Sequence, residues 1–193
     1  MCKIQNDGSL KCKGRNHLDQ YDNSRTARPA AVDVFGITNA ETISQAHNKV
    51  SVIKSDGSYQ HRGNNDGMST RTSPVTGVSN PIQVGQGNNF VAYLMSDGTV
   101  RTRGANYNGQ LGDGTTTNET SGSVQVSGIT TAAKIAVGQY HACALLTNGQ
   151  VWCWGNNAQG DLGDGTTTNR NSPVQASLPS NTAVDIFVGG RTS

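Results

Sequence analysis

Four cysteines and four histidines are the side chains best equipped for chemistry in this chain, and their spacing decides what that chemistry can be. Cys2 and Cys12 lie ten residues apart, as do Cys143 and Cys153, each pair centred on a turn residue, Asp7 or Asn148. That spacing is foreign to the short knuckles that hold zinc. A hairpin with a three-residue loop and its glycine in the left-handed position would instead set the two sulfurs of a pair face to face across neighbouring strands. The matching places elsewhere hold Ser51 with His61 and Ala92 with Thr102, so cysteine occurs in whole pairs or not at all. Disulfides are the expectation, ahead of buried thiols and, last, a metal site.

The histidines, His17, His47, His61 and His141, are scattered, and no serine or cysteine recurs beside them as a nucleophile would. Nucleophile, base and oxyanion donors do not converge in any motif, so no catalytic residue, no bound metal and no cofactor is expected. Two loops share the run GDGTTTN, which sets Asp113 and Asp164 among oxygen-bearing threonines. The carboxylates are too few for a calcium shell, and the loops read as turns capped by their own Asp and Thr. The Gly-x-Gly at 85–87 follows no strand–helix unit, so phosphate cradling has no support.

One slot could bind a ligand through charge. Counted from the turn glycines Gly8, Gly57, Gly98 and Gly149, the place of Trp152 is taken elsewhere by Lys11, Gln60 and Arg101. The place of Trp154 is taken by Lys13, Arg62 and Arg103. Residues two apart on a strand share a face. Lys11, Lys13, Arg62, Arg101 and Arg103 are therefore candidate anion-binding residues for an anionic glycan, lipopolysaccharide phosphate or nucleic acid. The competing expectation, and the stronger, is packing: long cationic stems cover a neighbouring unit while their heads reach water.

The elements that must position these residues follow from the turns. Asp7-Gly8, Asp56-Gly57, Asp97-Gly98 and Asn148-Gly149 recur at intervals of 49, 41 and 51 residues, and of 52 around from the last to the first. A further glycine follows each by six residues, at Gly14, Gly63, Gly104 and Gly155. Such dipeptides between short alternating runs are strong hairpin signals. VSVIKS, FVAYLMS and ACALLT precede them; SYQHRG, TVRTRG and QVWCWG follow. Further strands are expected at IQVG, AAKIAVG and VDIFVG, and at GSVQVSG and SPVQASL. About four short strands per unit without helical periodicity describe the blade of a β-propeller. The fold class expected is all-β, a single propeller-type domain over 1–193, or part of one, with four repeats of four-stranded blades. GRTS at 190–193 followed by MCKIQNDG lines up with GQYHACALLTNG at 138–149, so one blade is expected to be shared between the termini.

The fourth unit, HACALLTNGQVWCWGNNAQGDLGDGTTTNRNSPV, resembles a repeat of the regulator of chromosome condensation family, which is built as a β-propeller. The third, YLMSDGTVRTRGANYNGQLGDGTTTN, is similar in turn and loop; the second keeps the turn and Pro-Val but lacks the Gly-Gln-Leu-Gly loop, and the first diverges further. The resemblance implies a structural hydrogen-bonding role for His141, the family's repeat histidine. It also implies GTPase exchange and chromatin binding as one function. The absence of a basic tail and the paired cysteines speak against that function.

Composition narrows the rest. Net charge is +2 and charged residues make up 15% of the chain, so no global field draws it to nucleic acid or a membrane. No run approaches the length of a membrane span, and no apolar stretch near Met1 forms a secretory signal. Disulfides call for an oxidising setting, so an extracellular, cell-surface or virion location is expected, reached as a processed chain, a fragment or a particle component. The function expected is a non-catalytic binding or scaffold module that recognises protein or glycan through propeller loops. The alternative is a structural subunit of a virion or surface appendage, with oligomers or a larger assembly as its consequence.

Overall fold

The structure, a computed structural model, describes residues 1–14, 27–34, 36–46, 49–62, 75–179 and 182–189. Regular structure among these residues is entirely β. Blade one holds β1 (Cys2–Ile4), β2 (Leu10–Gly14) and β3 (Arg28–Asp33), and blade two holds β4 (Ala40–Ala46), β5 (Lys49–Lys54) and β6 (Tyr59–Arg62). Blade three holds β7 (Pro81–Gln86), β8 (Phe90–Met95), β9 (Val100–Gly104) and β10 (Glu119–Gln125). Blade four holds β11 (Ala132–Val137), β12 (His141–Leu146), β13 (Val151–Gly155) and β14 (Arg170–Gln175). Strands consecutive in sequence pair antiparallel within each blade. The expected all-β propeller architecture of four repeats is what the chain adopts.

The hairpin turn sets the register of each blade. In blade four the Leu146 amide donates to the Gln150 carbonyl, and Gly149 sits at a φ of 82°. This leaves a three-residue loop whose left-handed position only glycine fills without strain. The same closure joins Gln5 to Ser9, Lys54 to Ser58 and Met95 to Thr99. Asp7, Asp56, Asp97 and Asn148 each accept the amide two residues on, which holds the turn from within. The register that results places Cys2 opposite Cys12, Ser51 opposite His61, Ala92 opposite Thr102 and Cys143 opposite Cys153. Both cysteine pairs are disulfide-bonded, with no free cysteine among the described residues.

Alternation along the strands gives each blade a face toward its successor and a face toward its predecessor. Leu10 and Cys12 of blade one share a core with Val50 and Val52 of blade two. Ile53 and Tyr59 of blade two meet Val91 and Tyr93 of blade three. Ala92, Leu94, Val100 and Leu111 of blade three pack with Ala142, Ala144, Trp152 and Trp154 of blade four. The cores thus form a series of seams, in which an inter-blade cluster replaces a single centre.

Two expectations meet a different outcome. The polar run AETISQA, unassigned from sequence, forms β4, because β5 offers a full ladder of partners from Ala46–Lys49 to Ala40–Lys54. VDIFVG at 184–189, expected to be a strand, has no strand conformation. Among the described residues its backbone has no hairpin to pair with, and an extended segment becomes a ladder strand only when its amides and carbonyls find one. The segment still docks as a strand opening would: the Ala183 amide donates to the Gly149 carbonyl, just as Ala132 donates to Gly98 and Ala40 to Gly8. No ladder joins residues 182–189 to β1 among the described residues, and the blade expected to be shared between the termini also draws on residues 190–193, which lie outside them.

Candidate interaction face

Because the first and second strands of a blade are joined at the same end as the third and fourth, two kinds of loop share one face. In blades three and four these are the short loops at 87–89 and 138–140 and the long loops at 105–118 and 156–169. The opposite face carries the hairpin turns.

Each long loop is built around one buried asparagine. Asn106, fully buried, accepts the Leu111 amide on its Oδ1 and donates from Nδ2 to Asp113 and to Thr115. Its own amide donates to Asn118. Asn157 repeats the pattern with Leu162, Asp164, Thr166 and Asn169. Asp113 and Asp164 also accept the amides and hydroxyls of Thr115 and Thr166, so their oxygens serve the loop itself. Hydrogen bonds from Thr166, and then from Arg170, hold the Asp164 carboxyl well below the usual carboxylate range. A metal-binding group of three or more His, Cys, Asp or Glu is absent among the described residues. The sequence reading found the aspartates but missed the two asparagines, whose signal is a position two residues past the blade glycines Gly104 and Gly155.

The loops are also tied to each other. Trp154 Nε1 donates to the Gln110 carbonyl of the previous blade's Gly-Gln-Leu-Gly loop, 3.0 Å away, and its indole leaves no space for a side chain at Gly112. Asn171 and Gly114 exchange hydrogen bonds across the seam. Asn88 donates to the Tyr140 hydroxyl at 2.9 Å and, through its amide, to the Gln139 carbonyl; its own carbonyl accepts from the buried Lys49 Nζ. From this braced base Tyr107 stands 76% exposed, its hydroxyl accepting from Asn118. The ring of His141 lies against Gly138 as Phe90 lies against Gly87, and burial pushes its pKa down, so it is neutral and structural at pH 7.

Four of the five candidate anion-binding cations have described side chains, Lys11 and Lys13 on β2 and Arg101 and Arg103 on β9. Arg101 donates to the Ser123 hydroxyl and carbonyl, and Arg103, 9% exposed, to the Thr120 carbonyl, both within blade three. Lys11 pairs with Asp33 at 2.9 Å, and Lys13 is exposed on blade one. Arg62 pairs in register with Val50, and its side chain lies outside what is described. Of the histidines, His61 hydrogen-bonds Ser51, while His17 and His47 lie outside the described residues.

Comparison with known proteins agrees with this architecture. The Regulator of chromosome condensation (RCC1) repeat matches residues 97–145 and 148–193, and a second model of the same repeat matches 82–110 and 132–161. Among solved structures, human WBSCR16 superposes with a TM-score of 0.84 at 19% identity, over 98% of this chain and 53% of that one. Prp20p of Saccharomyces cerevisiae superposes with a TM-score of 0.75 at 14% identity, over 92% and 48%. The CRINKLY WD40 ectodomain of the Arabidopsis thaliana receptor kinase ACR4 gives 0.52 at 15% identity, over 81% and 49%. The chain thus spans about half the length of these structures, and at such identities the likeness is one of fold. No helix among the described residues is long and apolar enough to cross a membrane.

Proposed function

The chain belongs to the regulator of chromosome condensation repeat family, and from that premise we propose that it is a non-catalytic module that binds protein or glycan through the loop face of blades three and four. The observation that carries this reading is Tyr107, displayed on a loop that Asn106 and Asp113 hold rigid. An exposed tyrosine offers a large amphipathic surface at little entropic cost, and surrounding asparagines supply adaptable hydrogen bonds, the division of labour seen in antibody loops. Asn108, Asn118 and Asn169 surround it in this way. Protein binding as the broad class is supported by Prp20p, a protein with binding properties toward Gsp1p and histones. Fold alone names no partner. The two disulfides support an oxidising, extracellular, cell-surface or virion setting.

The test is a glycan array together with a panel of soluble ectodomains, probed with the disulfide-intact protein. Tyr107→Ala should weaken any binding found by at least about tenfold, the effect of losing an interfacial aromatic anchor. Ser96→Ala, on the opposite face, should leave it unchanged. Binding that survives Tyr107→Ala at full strength would remove the loop face as the site.

A further inference from the structure

Backbone amides fix which way the asparagines of the loop face point. Asn118 Oδ1 accepts the amide of the buried Asn106, and Asn169 Oδ1 accepts that of the buried Asn157. A main-chain N–H can only donate, so in both side chains the oxygen is turned inward and the NH2 group is left for other partners. Asn118 Nδ2 then donates to the Tyr107 hydroxyl at 2.9 Å, and Asn169 Nδ2 to Asn108 Oδ1 at 3.3 Å. Asn156 Nδ2 reaches the same oxygen at 3.5 Å. Both lone pairs of Asn108 Oδ1 are thereby taken, while its Nδ2 has no acceptor among the described residues. The Tyr107 hydroxyl, accepting from Asn118, keeps its own proton for an outside partner. Around Tyr107 the side chains therefore offer a ligand donors: the Asn108 NH2, the Tyr107 O–H and the second hydrogens of Asn118 and Asn169.

Charge limits the acceptor that can meet them. The long loops with the residues that close them, 105–119 and 156–170, carry Asp113, Glu119, Asp161 and Asp164 against Arg170 alone. Arg170 is itself bound to Asp164 at 2.7 Å. A carboxylate, sulfate or phosphate would approach these acids with no free cation of the loops to receive it. Sugar hydroxyls are neutral, but each brings a proton that needs an acceptor, and the asparagine oxygens that would take it are spent within the loops. An acetamido carbonyl is neutral and only accepts. Its methyl group suits the exposed Tyr107 ring, an apolar body with a polar tip.

Resting on the reading of this face as the binding site, we propose that its ligand is a saccharide bearing N-acetyl groups. Asn108 Nδ2 and the Tyr107 hydroxyl donate to an acetamido carbonyl, and the methyl group and the sugar's C–H face lie on the Tyr107 ring. An extended peptide fits less well, because it alternates carbonyls with N–H groups along its length and needs a run of acceptors that the spent asparagine oxygens do not supply.

Isothermal titration calorimetry with the β-linked tetramer of N-acetylglucosamine, and with the glucose tetramer of the same linkage, tests the acetamido group. The glucosamine tetramer, cationic where the first is neutral, tests charge. The N-acetylated tetramer should bind at least about fivefold more tightly than either, the order of effect of one or two good hydrogen bonds. Asn108→Asp keeps the oxygen that Asn156 and Asn169 use and removes the donor, so it should abolish the preference while thermal unfolding by circular dichroism stays unchanged. Tyr107→Phe, which keeps the ring and loses the hydroxyl, should reduce it in part. Equal binding of the three tetramers, a preference for the cationic one, no saccharide binding at all, or a preference untouched by Asn108→Asp would each overturn the proposal. A protein ectodomain bound in a Tyr107-dependent way, with no saccharide bound, would overturn it and leave the loop face as the binding site. Saccharide binding indifferent to Tyr107→Ala would remove the loop face as well.

Discussion

At the scale of residues, one cross-strand slot shows how four repeats solve one problem with different chemistry. The hairpin register brings two side chains face to face; blades one and four join them by sulfur, while blade two joins Ser51 to His61 at 3.2 Å and to Tyr59 at 2.9 Å. Since the backbone geometry recurs, Ser51→Cys with His61→Cys should oxidise to a third disulfide, seen as the absence of free thiol in denatured, unreduced protein. A persistently free pair would show that the blades differ in register. Removing an existing bridge as Cys143→Ala with Cys153→Ala should cost about 3 kcal/mol in urea unfolding, the chain-entropy value for a closed loop of this length. This slot was legible in the sequence because turn spacing alone determines it. The cationic slot was legible only in part: spacing places Lys11, Lys13, Arg62, Arg101 and Arg103 on one face, but their partners, such as Thr120 for Arg103, come from strands the spacing does not align.

At the scale of elements, strands were read well where both ladder partners are present and poorly where one is remote. β4 is polar and owes its conformation to β5, whereas 184–189 is apolar and, without a hairpin to pair with among the described residues, forms no strand. The long loops depend on something a composition reading treats as generic polarity. Asn157 is fully buried and makes hydrogen bonds to Leu162, Asp164, Thr166, Thr168 and Asn169. Asn157→Ala should leave several of these groups unsatisfied and lower unfolding free energy by about 3 kcal/mol, while Asn157→Asp recovers only part of it because the donor is lost. His141, which follows the short loop at 138–140 and opens β12, contributes a pH dependence. Burial depresses the pKa of His141, so the unfolded chain binds its proton more readily than the folded one. Stability from this group is therefore complete above about pH 6.5 and declines as the pH falls below it. His141→Phe, which copies Phe90 of blade three, should keep the melting temperature at pH 7.5 and remove this part of the decline between pH 7 and 5. An unchanged decline would move the effect to another group.

At the scale of the whole molecule, stability should be graded along the array, because each blade in a radial repeat gains most of its burial from its neighbours. Blade three is the best enclosed: it has four strands, contributes to the cores on both sides, and receives Trp154 into its loop. Among the described residues, blade one shares a core with blade two alone, blade four's outer face carries a groove of about 290 Å³ beside Leu162 and Ile186, and the β1 edge has no strand beside it. Native-state hydrogen exchange should therefore find the slowest amides in β8, β9 and β12, and fast exchange in β1 and at 183–189, even though a disulfide anchors β1. The pattern discriminates between two views of the array. Fast exchange confined to β1 and 183–189 would mean that the blades open one at a time, whereas uniform protection would mean that the four blades unfold as one cooperative unit.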